Sequence, residues 1–257
     1  IRRDGGARLA QSVAQVLVVF AQYLPFGNYL VYPFTILTTW FHEMGHGLTA
    51  VVLGQSFDRL LIFANGSGIA ESRVATDASP FLRAAIAAGG PLAPTFVGAG
   101  LIVASAHQKL WRPVLWGTSA AIFGSVILYV RTTVGVAVLP LIALTLAVIA
   151  WKASPGINRF TLQFLGLLGA MSMMSDYRYF FTEEVEIGGR TILSDTGQIE
   201  AALWLPHWVW ATLILLTSAG MVGASLKYAL SDERRLISKR KPPANVLQFK
   251  RTSDRDS

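Results

Sequence analysis

Residues 29–53 read Tyr-Leu-Val-Tyr-Pro-Phe-Thr-Ile-Leu-Thr-Thr-Trp-Phe-His-Glu-Met-Gly-His-Gly-Leu-Thr-Ala-Val-Val-Leu. At 1.5 Å per residue such a run is long enough, as a helix, to cross a hydrocarbon core of about 30 Å. Yet it carries three ionisable side chains, His42, Glu43 and His46, within five positions. A charge at mid-membrane costs roughly 2.5–3.5 kcal/mol even on a lenient scale, so a cluster of this kind marks function.

The rest of the chain repeats the apolar half of this pattern. Further blocks of about 17 to 26 apolar residues occur at Phe81–Ala106, Pro113–Val130, Val134–Trp151, Phe160–Phe181 and Leu203–Leu226, and a weaker one at Leu9–Leu24 carries Gln11, Gln15 and Gln22. Of the 257 residues, 53% are hydrophobic and only 14% charged. A soluble domain carries about a quarter charged residues, so a conventional soluble enzyme is excluded. The expected fold is an all-α polytopic membrane protein, a bundle of six to seven transmembrane helices. Helices are required because every backbone group in lipid must be satisfied internally.

Between Gly54 and Ser79 the pattern changes. Phe57–Phe63 and Ile69–Val74 flank Asn65-Gly66-Ser67-Gly68, which predicts a small β-hairpin. It cannot lie bare in lipid and is expected at the interface, re-entrant or tucked into protein. The connectors 107–112, 131–133 and 152–159 are short, which makes neighbouring helices antiparallel. Residues 1–230 are expected to form one membrane domain and residues 231–257, with Arg234, Arg235, Lys239, Arg240 and Lys241, a basic disordered tail near the membrane surface. No small-residue cleavage pattern follows the first apolar block, so no cleavable signal peptide is expected. Charge bias puts the basic tail in the cytoplasm. Seven spans would then leave Arg2, Arg3 and Arg8 outside, whereas six leave both termini on one side; both topologies stay open. The chain has no cysteine, so disulfides and thiolate ligands are excluded.

His42-Glu43-Met44-Gly45-His46 is a His-Glu-x-x-His sequence. Four residues along a helix return to within about 40° of the same direction, one turn on, so both imidazoles face one point and can hold one Zn²⁺. Glu43 projects from the adjoining face, close enough to accept a proton from an attacking water without ligating the metal. A catalytic zinc takes three protein ligands. The metzincin continuation is excluded because Thr49 and Val52 replace the required Gly and His. Asp176, in an otherwise apolar span, is the expected third ligand: it lies about six residues before its span's end, as His46 lies about eight before its own. Asp195 is the alternative, although in Leu193-Ser194-Asp195-Thr196-Gly197 it also reads as a helix N-cap. Glu71 falls in the hairpin and is a weaker choice.

Four stretches together resemble the site-2 protease family of intramembrane zinc metalloproteases, closest to its compact branch without appended soluble domains. Phe34–Gly54 is similar to the family's zinc helix, Asn65-Gly66-Ser67-Gly68 to its re-entrant hairpin, and Ala88-Gly89-Gly90-Pro91-Leu92-Ala93 to its Gly-Pro motif. Asp176 and Ser194-Asp195 fall where the family supplies its Asp ligand. Pro94 stands where relatives often have Asn, and Asp176 lacks their Asp-Gly context. Read locally, Gly89-Gly90-Pro91 is a kink with room for a close neighbour, serving either helix packing or the site itself. Trp111, Trp116, Trp151, Trp204, Trp208 and Trp210 cluster near span ends as an interfacial belt does, and His107 and His207 are read the same way.

The expected function is zinc-dependent hydrolysis of peptide bonds in membrane-spanning substrates, with Glu43 as proton acceptor and Zn²⁺ on His42, His46 and Asp176. The resemblance also implies that the hairpin receives the substrate by strand addition. The alternatives are a catalytically silent zinc-binding scaffold or substrate trap, which would have no need of Glu43, and an ion transporter, for which no internal repeat is found. The expected partners are a membrane-protein substrate and the lipid bilayer, with no nucleic acid.

Overall fold

The structure, a computed structural model, describes residues 27–175, 179 and 181–239. Both the weak first block, 9–24, and Asp176 lie outside the described residues. The described residues are mostly helical, 74%. Its order is α1 (Gly27–Val52), β1 (Ser56–Ile62), β2 (Gly68–Arg73), α2 (Pro80–Ala106), a 3₁₀ turn (Gln108–Leu110), α3 (Trp111–Leu128), α4 (Thr133–Lys152), α5 (Pro155–Ser175), β3 (Glu184–Ile187), β4 (Arg190–Leu193), α6 (Asp195–Leu203) and α7 (His207–Lys239).

Local chemistry sets the boundaries. Gly54, at φ +76°, ends α1: its N–H donates to the Val51 carbonyl and the Gln55 N–H to the Ala50 carbonyl, a Schellman closure that turns the chain toward β1. In the first hairpin Asn65 Oδ1 accepts from the Ser67 N–H and Oγ–H, while Gly66 takes φ +88°. Helix α2 starts on Ser79, whose side chain accepts from the Leu82 N–H, with Pro80 in the first helical turn.

The first hairpin is tucked into protein. Leu60 and Ile62 are fully buried against Ile36, Leu37, Trp40 and Phe41 of α1 and Leu139 of α4. Leu60 also pairs with Val130 in the α3–α4 connector, so hairpin and connector share one end of the bundle. At the other end, the imidazole of His107, after α2, lies 2.9 Å from the Tyr228 hydroxyl of α7. A second cluster clamps α6: Ile199 packs with Ala84 and Ala87 of α2 and with Ala211 and Ile214 of α7.

Among the described residues, three helices are long and apolar enough to cross a membrane: Pro80–Ala106, Thr133–Lys152 and His207–Ser231. Six to seven were expected. Helices α1, α3 and α5 occur where spans were expected but are less apolar, α1 through its threonines and site residues and α5 through Asn158, Arg159 and Gln163. The outward side chains Val136, Leu141, Leu144, Val148 and Trp151 of α4 are exposed. A face of that size and apolarity needs lipid rather than water. Trp204 and Trp208 are exposed near the start of α7, as an interfacial belt predicts.

Three boundaries differ from expectation. The span expected from Leu203 begins at His207, because Pro206 breaks the chain and residues 195–203 form the separate helix α6. A second hairpin, β3–β4, fills the acidic connector. Its Gly188-Gly189 turn has φ +61° and +74°, the signature of a two-residue primed turn. Helix α7 runs to Lys239, nine residues into the stretch expected to be a disordered tail; the first helix-breaking residues after it are Pro242-Pro243.

Candidate metal centre

Helix α1 delivers two imidazoles on one face. The rings of His42 and His46 are 5.0 Å apart between centroids, and their Nε2 atoms are 3.2 Å apart. His46 Nδ1 lies 2.8 Å from the Ile86 carbonyl oxygen of α2. A carbonyl only accepts, so Nδ1 carries the proton and Nε2 presents its lone pair. The ring is held flat by a close approach: a Cβ at Gly90 would overlap His46 Nε2. Gly89 and Gly45 bring the two helices together one turn away, each lying against the other's carbonyl. The Gly-Gly-Pro stretch therefore serves both packing and the site.

The third group arrives from α6. Ser194 is the N-cap, its Oγ accepting from the Gly197 N–H at 3.0 Å and donating to the Thr182 carbonyl at 2.6 Å. Asp195, read from sequence as a possible N-cap, is thus the first residue of the helix, and its side chain is free for the site. Asp195 Oδ2 lies 3.0 Å from His42 Nε2 and Oδ1 lies 3.2 Å from His46 Nε2. The carboxylate is 2% exposed, and Oδ2 has no hydrogen bond of good geometry despite that short contact. A carboxylate ligates a metal in its anionic state.

The ligand atoms of His42, His46 and Asp195 all lie within 4.8 Å of one another. A tetrahedral ion with arms of about 2.0–2.1 Å has edges near 3.3 Å. The two imidazole nitrogens, 3.2 Å apart, match one such edge, and each carboxylate oxygen of Asp195 lies 3.0–3.2 Å from one of them. A buried carboxylate oxygen without a good donor is what a divalent cation satisfies. The residues fit a metal.

Glu43 is buried beside this cluster without belonging to it. Its carboxylate lies along β2: it accepts from the Ala70 backbone, and a Cβ at Gly68 would stand 2.6 Å from Glu43 Cγ. Thr39 Oγ1 donates to the Gly66 carbonyl at 2.5 Å, tying the hairpin turn to α1 one turn before Glu43. The Tyr179 ring stands edge-on to His42 at 6.4 Å, with its hydroxyl in hydrogen-bond contact with Asp195.

Sequence reasoning singled out His42, Glu43 and His46, with Asp176 as the expected third ligand and Asp195 as its alternative; the structure brings His42, Glu43, His46 and Asp195 together, while Asp176 lies outside the described residues. It did not single out Tyr179 or Thr39, and read Gly68 only as part of the hairpin turn. Glu71 pairs with Arg59 at 2.6 Å on the outer face of the hairpin, away from the cluster. His107 and His207 are also elsewhere, the latter 2.9 Å from Glu200. The His207 backbone N–H and ring hold that carboxyl below its ordinary range.

Fold and site together define a helical membrane protein with a buried His-His-Asp cluster able to hold a metal. The family model Peptidase M50B-like matches residues 11–225, and the chain belongs to that family, within the site-2 proteases. No curated protein and no solved structure matches the chain.

Proposed function

We propose that this chain is a zinc-dependent intramembrane endopeptidase, in which His42, His46 and Asp195 hold the zinc and Glu43 moves the proton. The observation that carries the reading is the convergence of two imidazole Nε2 atoms and a buried carboxylate at 3.0–3.2 Å, with a fourth group, Glu43, alongside. Asp195 takes the role first expected of Asp176 because its two oxygens each meet one imidazole.

A zinc ion bound by these residues would supply Lewis acidity and a water acidified toward a pKa of about 7. Glu43 accepts the proton from the attacking water and passes it to the leaving amine.

The substrate must reach Glu43 unwound, because a helical carbonyl is already occupied by its own N–H. The hairpin has one edge suited to receive it. Phe63 and Ser67 form a hydrogen-bonded pair, N–H to carbonyl at 2.8 Å. The alternation of an antiparallel ladder then turns the backbone groups of Leu60 and Ile62 outward on β1, and of Gly68 and Ala70 outward on β2. On β1 these groups are spent: the Leu60 N–H donates to the Tyr129 carbonyl, its carbonyl accepts from Arg131, and the Ile62 N–H donates to Thr132 Oγ1. The β2 edge faces Glu43, which takes one of its outward groups, the Ala70 N–H. An extended segment added there passes the proton acceptor and the metal ligands.

The test is cleavage of a purified single-span substrate in detergent. Chelation is expected to abolish cleavage and stoichiometric zinc to restore it. Cleavage that persists in protein stripped of metal contradicts the reading, and zinc-loaded protein that cleaves none of a panel of single-span substrates supports a silent scaffold instead.

A further inference from the structure

Two of the three groups that meet at the cluster ride on one helix, and the third must be aimed separately. His42 and His46 share a face of α1, and the Ile86 carbonyl fixes the His46 ring. Asp195 opens α6, and its carboxylate can turn about two side-chain torsions. What restrains it comes from Tyr179.

Tyr179 is anchored through ring and backbone alike. Its ring packs against the cluster around Ile199, Ala84 and Ala211, and stands at 83° to the plane of His42. Its carbonyl accepts from the Thr182 N–H at 3.4 Å and from Thr182 Oγ1–H at 3.0 Å. The Thr182 carbonyl accepts in turn from Ser194 Oγ–H at 2.6 Å, and the Ser194 N–H donates to the Glu183 carbonyl at 2.8 Å. The residue before Asp195 is thus tied to the residues just after Tyr179, so the hairpin β3–β4 leaves and returns at one point.

The Tyr179 hydroxyl closes this circle, for it meets both the backbone and the carboxylate of Asp195. A backbone N–H only donates, so the hydroxyl accepts there and its single hydrogen goes to the carboxylate. The N–H of Asp195 belongs to the first turn of α6, where a helix leaves its donors without intrahelical partners. One phenol therefore satisfies that donor and restrains the side chain together. Oδ2, 3.0 Å from His42 Nε2, has no hydrogen bond of good geometry among the described residues and stays available as a ligand atom.

We infer that Tyr179 is a positioning residue for the metal, its hydroxyl holding the Asp195 carboxylate in the orientation that completes the site of His42 and His46. The inference rests on the reading that His42, His46 and Asp195 hold zinc, and adds the group that aims the third of them. Tyr179 acts through Asp195 and takes no part in the proton transfer.

The experiment is a double-mutant cycle on zinc affinity, read by competition with a chromophoric chelator. It uses full-length protein in detergent: wild type, Tyr179→Phe, Asp195→Ala and the two together. Phenylalanine keeps the ring and its packing and removes only the hydroxyl. Loss of an outer partner of a metal ligand commonly costs 10- to 100-fold in affinity, and Tyr179→Phe is expected to weaken zinc within that range. With Asp195 already alanine, the same substitution is expected to cost no more than about twofold, because the group it acts through has gone. Cobalt in place of zinc gives a second readout: its visible spectrum should differ between wild type and Tyr179→Phe, and should not respond to the hydroxyl once Asp195 is alanine. Tyr179→Phe that binds zinc as tightly as wild type overturns the inference. So does an equal loss with and without Asp195, which would place the effect in general packing. Wild type that binds no zinc removes the metal centre and this inference with it, whereas zinc-loaded wild type that cleaves nothing removes the hydrolase alone.

Discussion

Glu43→Gln is expected to keep its metal and lose cleavage by roughly 10²- to 10⁴-fold, the range over which a positioned acid–base group contributes. The substitution conserves volume, which matters because Gly68 leaves no slack against the Glu43 side chain. The amide oxygen can still accept from the Ala70 backbone, so the packing of β2 on α1 should persist. What is lost is the capacity to take up a proton. Zinc content measured beside the rate separates this from unfolding: a variant with wild-type zinc and no cleavage isolates the proton transfer. Wild-type cleavage by Glu43→Gln would mean that another group does that work.

Gly90→Ala is expected to weaken zinc binding by at least about 100-fold, and cleavage with it. The loss of an outer partner of a metal ligand commonly costs 10- to 100-fold, and here the added methyl overlaps the ligating nitrogen itself. His46 cannot step aside cheaply, since Ile86 holds its other nitrogen at 2.8 Å. The helix backbone gives little, because Gly45 and Gly89 already bring α1 and α2 to backbone contact. Gly100→Ala is the control on the same helix. A Cβ there meets nothing within 4 Å, and alanine favours a helix over glycine by about 1 kcal/mol. Zinc content should fall in the first variant and hold in the second. Full zinc in Gly90→Ala would place the His46 ring elsewhere.

The legible parts of the molecule were those carried by short-range periodicity. His42 and His46 declare themselves because a four-residue spacing has one meaning on a helix. The first hairpin is announced by Asn65-Gly66 between two apolar runs. The third member of the candidate metal cluster was harder because it depends on how a connector folds between distant helices. Depth along the spans favoured Asp176, while Asp195 was divided between ligand and N-cap. With Ser194 accepting from Gly197, the cap is filled one residue earlier and Asp195 is released toward the histidines. The second hairpin did leave a signal. Glu184-Val185-Glu186-Ile187 alternates polar with apolar and is followed by Gly188-Gly189, but a net acidic stretch between oily spans reads first as a loop. Pro206 likewise marked the break between α6 and α7. Gly90 was legible only as part of Gly89-Gly90-Pro91, a kink with room for a close neighbour; that the neighbour is the His46 ring depends on the crossing of α1 and α2, which no local pattern encodes.

The account stands on three side chains sharing one divalent ion, and the zinc content of purified full-length protein tests that most directly. Wild type is expected to carry one zinc per chain, Asp195→Ala substantially less at the same free zinc concentration, and Asp176→Ala as much as wild type. Undiminished zinc in Asp195→Ala, with loss in Asp176→Ala, would contradict the assignment of the third ligand, and wild-type protein that binds no zinc would contradict the metal centre itself.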